Sequence, residues 1–226
     1  MRVHLQRDIE KVKRRLLVLS TEVEEAVRQS IRALAERDVA VARQVVERER
    51  QTNILEVDVE EDCLKILALH QPVAGDLRYI VAVLKMNRDL ERIADLAGHI
   101  AEKGLVLFEL PSLDMPFRLD EMGVKVQAML KKALDAFVSL NTEAAHEVCS
   151  MDGEINAIKK ETFRHVRQAV MATPQQFDPL MQVMHIARHL ERIADHATNI
   201  AEDLIYLVEG RIVRHTPEVA STPVIK

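Results

Sequence analysis

The chain has 226 residues, 48% hydrophobic and 30% charged, with six Gly, no Trp and 3% aromatic residues; this favours helix and excludes a fold built on sheets, which need β-branched and aromatic runs. A formal charge of -5 with no Lys/Arg tract excludes a nucleic-acid surface, because phosphate binding needs a basic excess on some face. No stretch approaches the ~18 apolar residues of a membrane span, and the opening MRVHLQRDIEKVKRR lacks an apolar signal core, so a cytoplasmic location is expected.

Apolar residues at Ile9, Val12, Leu16, Leu19, Val23, Val27, Ile31 and Leu34 recur every three or four positions and predict a first helix from about Asp8 to Glu36. Asp38 is placed to cap a second helix that runs through Val45, Ile54, Leu55, Val59 and Ile66 toward His70. Pro72 and Gly75 mark a turn, and Asp76 is expected to cap a third helix reaching about Leu107. The segment FELPSLDMPF, 108–117, holds two prolines and reads as a linker. Beyond it the pattern recurs, with helices from about Leu119 to Leu140 and from Thr142 to Met171, a turn holding Pro174 and Pro179, a last helix to about Glu209, and a tail over 210–226. Short connections force antiparallel neighbours. The expected fold is all-α, six helices in two tandem related three-helix bundles, 1–107 and 118–209. Cys63 and Cys149, far apart and without CxxC spacing, are expected to be reduced core thiols, and Met171, Met181 and Met184 flexible core fillers.

The bundles are related by duplication. RDLERIADLAGHIAE, from Arg88 to Glu102, aligns without gaps on RHLERIADHATNIAE, from Arg188 to Glu202, with 11 of 15 positions identical. Upstream, ERQTNILE from Glu49 to Glu56 echoes DGEINAIK from Asp152 to Lys159, each an acid followed four residues later by Asn53 or Asn156.

At about 100° per residue, Glu91, Asp95 and Glu102 fall within roughly 40° of one another, at the edge of an apolar face, and Glu191, Asp195 and Glu202 repeat the stripe. If the turn is centred near Pro72, Glu49 and Asn53 come level with Glu91 and Asp95, and Asp152 and Asn156 come similarly level with Glu191 and Asp195. Each bundle then offers oxygen ligands of the kind accepted by hard cations and carboxylate-bridged iron clusters, which makes a metal site the favoured expectation for the duplicated set. The alternative is a solvated helix face whose acids pair locally with Arg92 or Arg192. His99, His185, His189 and His196 do not repeat between halves, so the duplication does not support a histidine site. No Gly-rich phosphate loop, nucleophile elbow or HExxH occurs, and no catalytic residue is assigned. The competing reading is a carboxylate-bridged metalloenzyme of helical-bundle type.

The duplicated LERIAD, with HQPVAGDLRYIVAVLKMNRDLERIAD in the first half, resembles the PhoU family from the first helix to about Leu207. The resemblance implies that the acidic motifs bind metal, as an iron or zinc cluster or as magnesium or another divalent cation. Those motifs fall on Glu91 and Asp95, on Glu191 and Asp195, and in weaker form, with Asn at the fourth position, on Glu49 with Asn53 and Asp152 with Asn156. It also implies a role: an adaptor between the ATPase subunit of the high-affinity phosphate ABC transporter and the phosphate-sensing histidine kinase, restraining uptake and the phosphate-starvation response. Such proteins are expected to be homodimers, at the membrane only peripherally, through their partners.

Overall fold

The computed structural model describes residues 2–110, 113 and 118–211. Its helices are α1 (Arg2–Glu36), α2 (Val39–His70), α3 (Ala74–Glu109), α4 (Leu119–Ser139), α5 (Thr142–Ala172) and α6 (Phe177–Glu209), with a 3-10 turn, Pro174–Gln176, leading into α6. No strand occurs among the described residues, and no helix there is long and apolar enough to cross a membrane. The fold is the expected pair of tandem three-helix bundles, α1–α3 and α4–α6, with each helix packed on both others of its bundle.

The element ends follow from local chemistry. Asp38 caps α2 as anticipated: its Oδ1 accepts from the Ala40 and Val41 amides at 2.9 and 3.0 Å. Asn141 does the same for α5, accepting from the Ala144 amide at 3.1 Å. Asp76 does not cap α3. That helix opens one turn sooner, at Ala74, with Val73 as an N-cap that makes no side-chain bond, and Asp76 sits in the first turn, where its charge meets the positive end of the helix dipole. α1 starts at Arg2 because Leu5 carries the apolar stripe beyond Ile9 onto the core. Met171 is no core filler. It is 80% exposed, about 200° around α5 from the buried Ala169, whereas Met184 packs against the small cluster of Val166, Ala169, Leu180 and Val183. α3 extends to Glu109, into the expected linker, of which 111–112 and 114–117 lie outside the described residues, as do 212–226 of the tail.

The two bundles share one hydrophobic core, which runs without a break from Val12 and Leu90 in the first half to Leu130 and Leu190 in the second. Its centre is the contact of α3 with α6, the helices that carry the repeated LERIAD. They run antiparallel, for Lys85 Nζ meets Asp203 Oδ1 at 3.2 Å at one end while the His99 and His189 rings stack with centroids 5.4 Å apart at the other. With a repeat offset of 100 residues, the Asp89–Asn199 hydrogen bond and the His99–His189 ring contact occupy equivalent positions with the halves exchanged. The repeats are therefore related by a pseudo-two-fold axis that sets Ala94 opposite Ala194. Buried alanines along both helices, among them Ala97, Ala101, Ala197 and Ala201, let the backbones approach.

Candidate functional site

Because Leu90, Ile93, Ala97 and Ile100 turn one face of α3 into the core, Glu91 and Asp95 emerge at its margin with about a quarter of each side chain exposed. Arg92 pairs with both, Nε to Glu91 Oε2 at 3.2 Å and Nη1 to Asp95 Oδ2 at 3.4 Å, the local pairing that the solvated-face reading anticipated. Partial burial first, then the charge of Asp95, holds the Glu91 carboxyl above the usual range, with Glu56 adding to the effect and Arg92 opposing it.

α2 supplies the facing acids, with Glu49 beside Asp95 as the level-matching expects. Glu49 lies against Asp95 and Gly98, where its Oε2 is 3.0 Å from the place a Cβ on residue 98 would occupy. Glycine makes room for that carboxylate. Partial burial, Asp95 and Glu102 raise the Glu49 carboxyl, and His99 pulls it down. Glu56 also faces Glu91, a residue that sequence reasoning missed although it closes the string ERQTNILE, seven residues and two turns after Glu49. Asn87, buried on α3, donates its Nδ2 to Glu56 Oε1 at 3.1 Å and to the Glu56 carbonyl at 3.0 Å, and burial raises this carboxyl too. Between these acids Asn53 keeps its Oδ1 buried without a hydrogen-bond partner.

In the second half Asp152 takes the place of Glu49. Asn156 donates to its Oδ2 at 2.6 Å while its Oδ1 is buried and unbonded, and burial raises the carboxyl. Asp195 reaches solvent, yet its carboxyl is pushed up to about 6, by partial burial first and then by Glu191 and Asp152. Glu191 does not stand free, because Lys159 of α5 closes an ion pair on it. Among the described residues the acids meet in pairs, and no three His, Cys, Asp or Glu side chains converge as a metal-holding group.

Three histidines, His99, His189 and His196, serve the contact between bundles. His196 Nδ1 lies 2.8 Å from Asp89 Oδ1, and Asn199 Nδ2 donates to the same oxygen at 3.3 Å. His189 keeps its Nδ1 buried without a partner; burial, then the neighbouring His99 and His185, Arg192 and Lys103, lowers it to about 4. Both cysteines are free thiols pushed up by burial, Cys63 to about 12 and Cys149 to about 11.

The PhoU domain matches this chain twice, over residues 16–104 and 119–204, which together take in both LERIAD helices. The chain belongs to the PhoU family. It is 36% identical over 209 residues to the phosphate-specific transport system accessory protein PhoU homolog of Pseudomonas aeruginosa, covering 92% of this chain and 86% of that one. The Aquifex aeolicus protein of the same description is 35% identical, with 93% and 96% covered. Among solved structures, PhoU from Pseudomonas aeruginosa superposes with a TM-score of 0.89 at 35% identity, covering 91% of this chain and 99% of that chain. The phosphate transport system regulatory protein PhoU from Streptococcus pneumoniae gives 0.81 at 27% identity, with 92% and 99% covered. The two PhoU repeats meet at a second feature, a cleft of about 490 Å³ lined by Ile9, Leu16, Tyr79, Met86, Phe137 and Leu207, with Leu17, Val138, Leu140 and Val208 exposed about its mouth. An exposed apolar rim of this kind is what partner-binding surfaces carry.

Proposed function

We propose that the chain is a non-enzymatic regulator of phosphate-specific transport that works as an adaptor between the ATPase subunit of the phosphate ABC transporter and a phosphate-sensing histidine kinase. One observation carries this: two PhoU domains span the chain, and its relatives over more than nine-tenths of its length are described as accessory proteins of phosphate-specific transport. The apolar rim of the cleft between the bundles supports it, since an adaptor needs exposed faces for partners. The adaptor acts in the cytoplasm, as a homodimer, and meets the membrane only through those partners.

Metal ions are the ligand we assign to the acidic stripes. The donor chemistry fits: every candidate is an oxygen ligand, as hard cations prefer, and Glu49, Glu56 and Glu91 have carboxyls that a cation would help to ionise. The buried Asn53 Oδ1 has no partner, and Gly98 leaves room for the Glu49 carboxylate. Glu49, Asn53, Glu91 and Asp95 form the first ligand set, with Asp152, Asn156, Glu191 and Asp195 as its duplicate. A bound cation neutralises like charges at these positions and ties α2 to α3.

The test is capture. A tagged chain is expected to retain the transporter ATPase and the kinase from cells grown with phosphate, and a strain lacking it to take up phosphate without restraint. Loss of both effects would leave the chain a passive helical scaffold. The metalloenzyme alternative requires turnover that Glu91→Gln abolishes.

A further inference from the structure

The pseudo-two-fold axis makes the two ends of the molecule comparable, and they are finished differently. α1 and α2 repeat in α4 and α5 at an offset of 103 residues, set by the capping Asp38 and Asn141 and by the residues before them, Arg37 and Leu140, both left-handed at φ 53°. α3 repeats in α6 at an offset of 100. Leu17, Val138, Leu140 and Val208, about the mouth of the cleft, therefore correspond to Asp120, Ala35, Arg37 and Phe108 at the other end.

That other end is closed. Arg37 Nη2 donates to the Phe108 carbonyl at 3.0 Å, and the guanidinium lies over the Phe108 ring, 5.3 Å from its centroid. The chain leaving α3 then sets Leu113, together with Leu107 and Leu119, on the cluster of Val166, Ala169, Leu180 and Val183. The counterparts of Leu107 and Leu119 are Leu207 and Leu16, and both line the cleft. In the first bundle α1 runs back past Leu16 to Arg2 and supplies a wall through Ile9. Between that wall and the ends of α4 and α6 about 490 Å³ stays open among the described residues, with Leu17, Val138, Leu140 and Val208 each 44 to 57% exposed at its rim.

The segment that can fill it begins at that rim. Val208 lies in the last turn of α6, and Gly210 follows in the left-handed region at φ 73°, its N–H donating to the Tyr206 carbonyl at 2.9 Å. A cap of this kind turns the chain back, and an apolar residue just past it commonly packs on the turn it ends. The next apolar residues are Ile212 and Val213, and Val213 stands 100 residues after Leu113. It follows Val208 by five residues, at most about 18 Å of extended chain, which brings the cleft mouth within reach. A segment tethered this closely meets the cleft at an effective concentration of about millimolar, which a second copy in dilute solution does not approach.

We propose that the segment 212–226, which continues beyond the described residues, seats Ile212 and Val213 in the cleft and covers its rim as Leu113 covers the equivalent end. The contact is intramolecular and independent of the adaptor and metal readings. Under the adaptor reading, a partner reaches this cleft by displacing the segment.

The experiment follows the leucine and valine methyl groups of the full chain by NMR, in the parent and in a variant carrying both Ile212→Asp and Val213→Asp. The signals of Leu17, Val138 and Leu140, remote in sequence from the substitutions, are expected to move, while those of Leu64 and Val124, exposed elsewhere, stay in place. A synthetic peptide of residues 211–226, added in excess to the variant, is expected to return the three signals toward their parent positions. Unmoved signals at Leu17, Val138 and Leu140 overturn the proposal. Parent signals at these positions that shift on dilution overturn it too, because the occupant is then a second copy.

Discussion

His189 packs its ring against His99 at the crossing of α3 and α6 and holds its Nδ1 away from both water and partners. Burial and the nearby cationic groups favour the neutral ring, so its folded-state value, about 4, lies below the ordinary 6.5. A base whose folded value is lowered binds fewer protons in the native than in the unfolded state between those values. Its contribution to stability is therefore complete above pH 6.5 and is lost as pH falls toward 4. His189→Gln, compared with the parent by urea unfolding in metal-free buffer, is expected to flatten the stability decline across that window. An unchanged slope would mean the ring takes up its proton as readily in the fold as outside it.

The helices respond to substitutions at their ends and at their closest contacts. Asp38→Ala removes the oxygen that satisfies the Ala40 and Val41 amides and is expected to cost about 1 kcal/mol in denaturant unfolding, within the usual range for a lost N-cap. Gly123 shows two effects opposing each other. Alanine there gains about 1 kcal/mol of helix propensity, but its Cβ would stand 2.8 Å from Ile31 Cγ2 and 3.3 Å from Ile31 Cγ1, and a β-branched side chain in a helix has few rotamers to yield with. Overpacking of this kind costs about 1–3 kcal/mol, so Gly123→Ala is expected to lose stability on balance by prising α1 from α4. A melting temperature above that of the parent would show that Ile31 finds room to move.

At the scale of the molecule, the shared core ties the bundles together. Leu90 and Leu190 are fully or almost fully buried at equivalent positions on the two central helices, within one continuous cluster. Truncation of either to alanine is expected to cost about 2–5 kcal/mol and to shift a single unfolding transition monitored by circular dichroism. Independent bundles would instead give two transitions, with each substitution moving only one.

The architecture was legible because its signals are local. Helix periodicity, prolines between helices, the cap at Asp38 and the repeated LERIAD are written within a few turns of chain, and so were Glu91 and Asp95 with their second-half copies. The facing residues were harder to read. Counting from the turn sets Glu49 level with Asp95, but only the packed helices show that Glu56, two turns further on, bonds Asn87 and faces Glu91. Both Glu56 and Lys159 stood in the aligned strings, but their opposite charges took on meaning only once α2 met α3 and α5 met α6. By itself the sequence determined an all-helical duplicated chain with paired acidic stripes. Tertiary structure decided that α3 and α6 cross antiparallel about a pseudo-two-fold axis and that one stripe carries its own cation, because both depend on side chains remote in sequence meeting across a shared core.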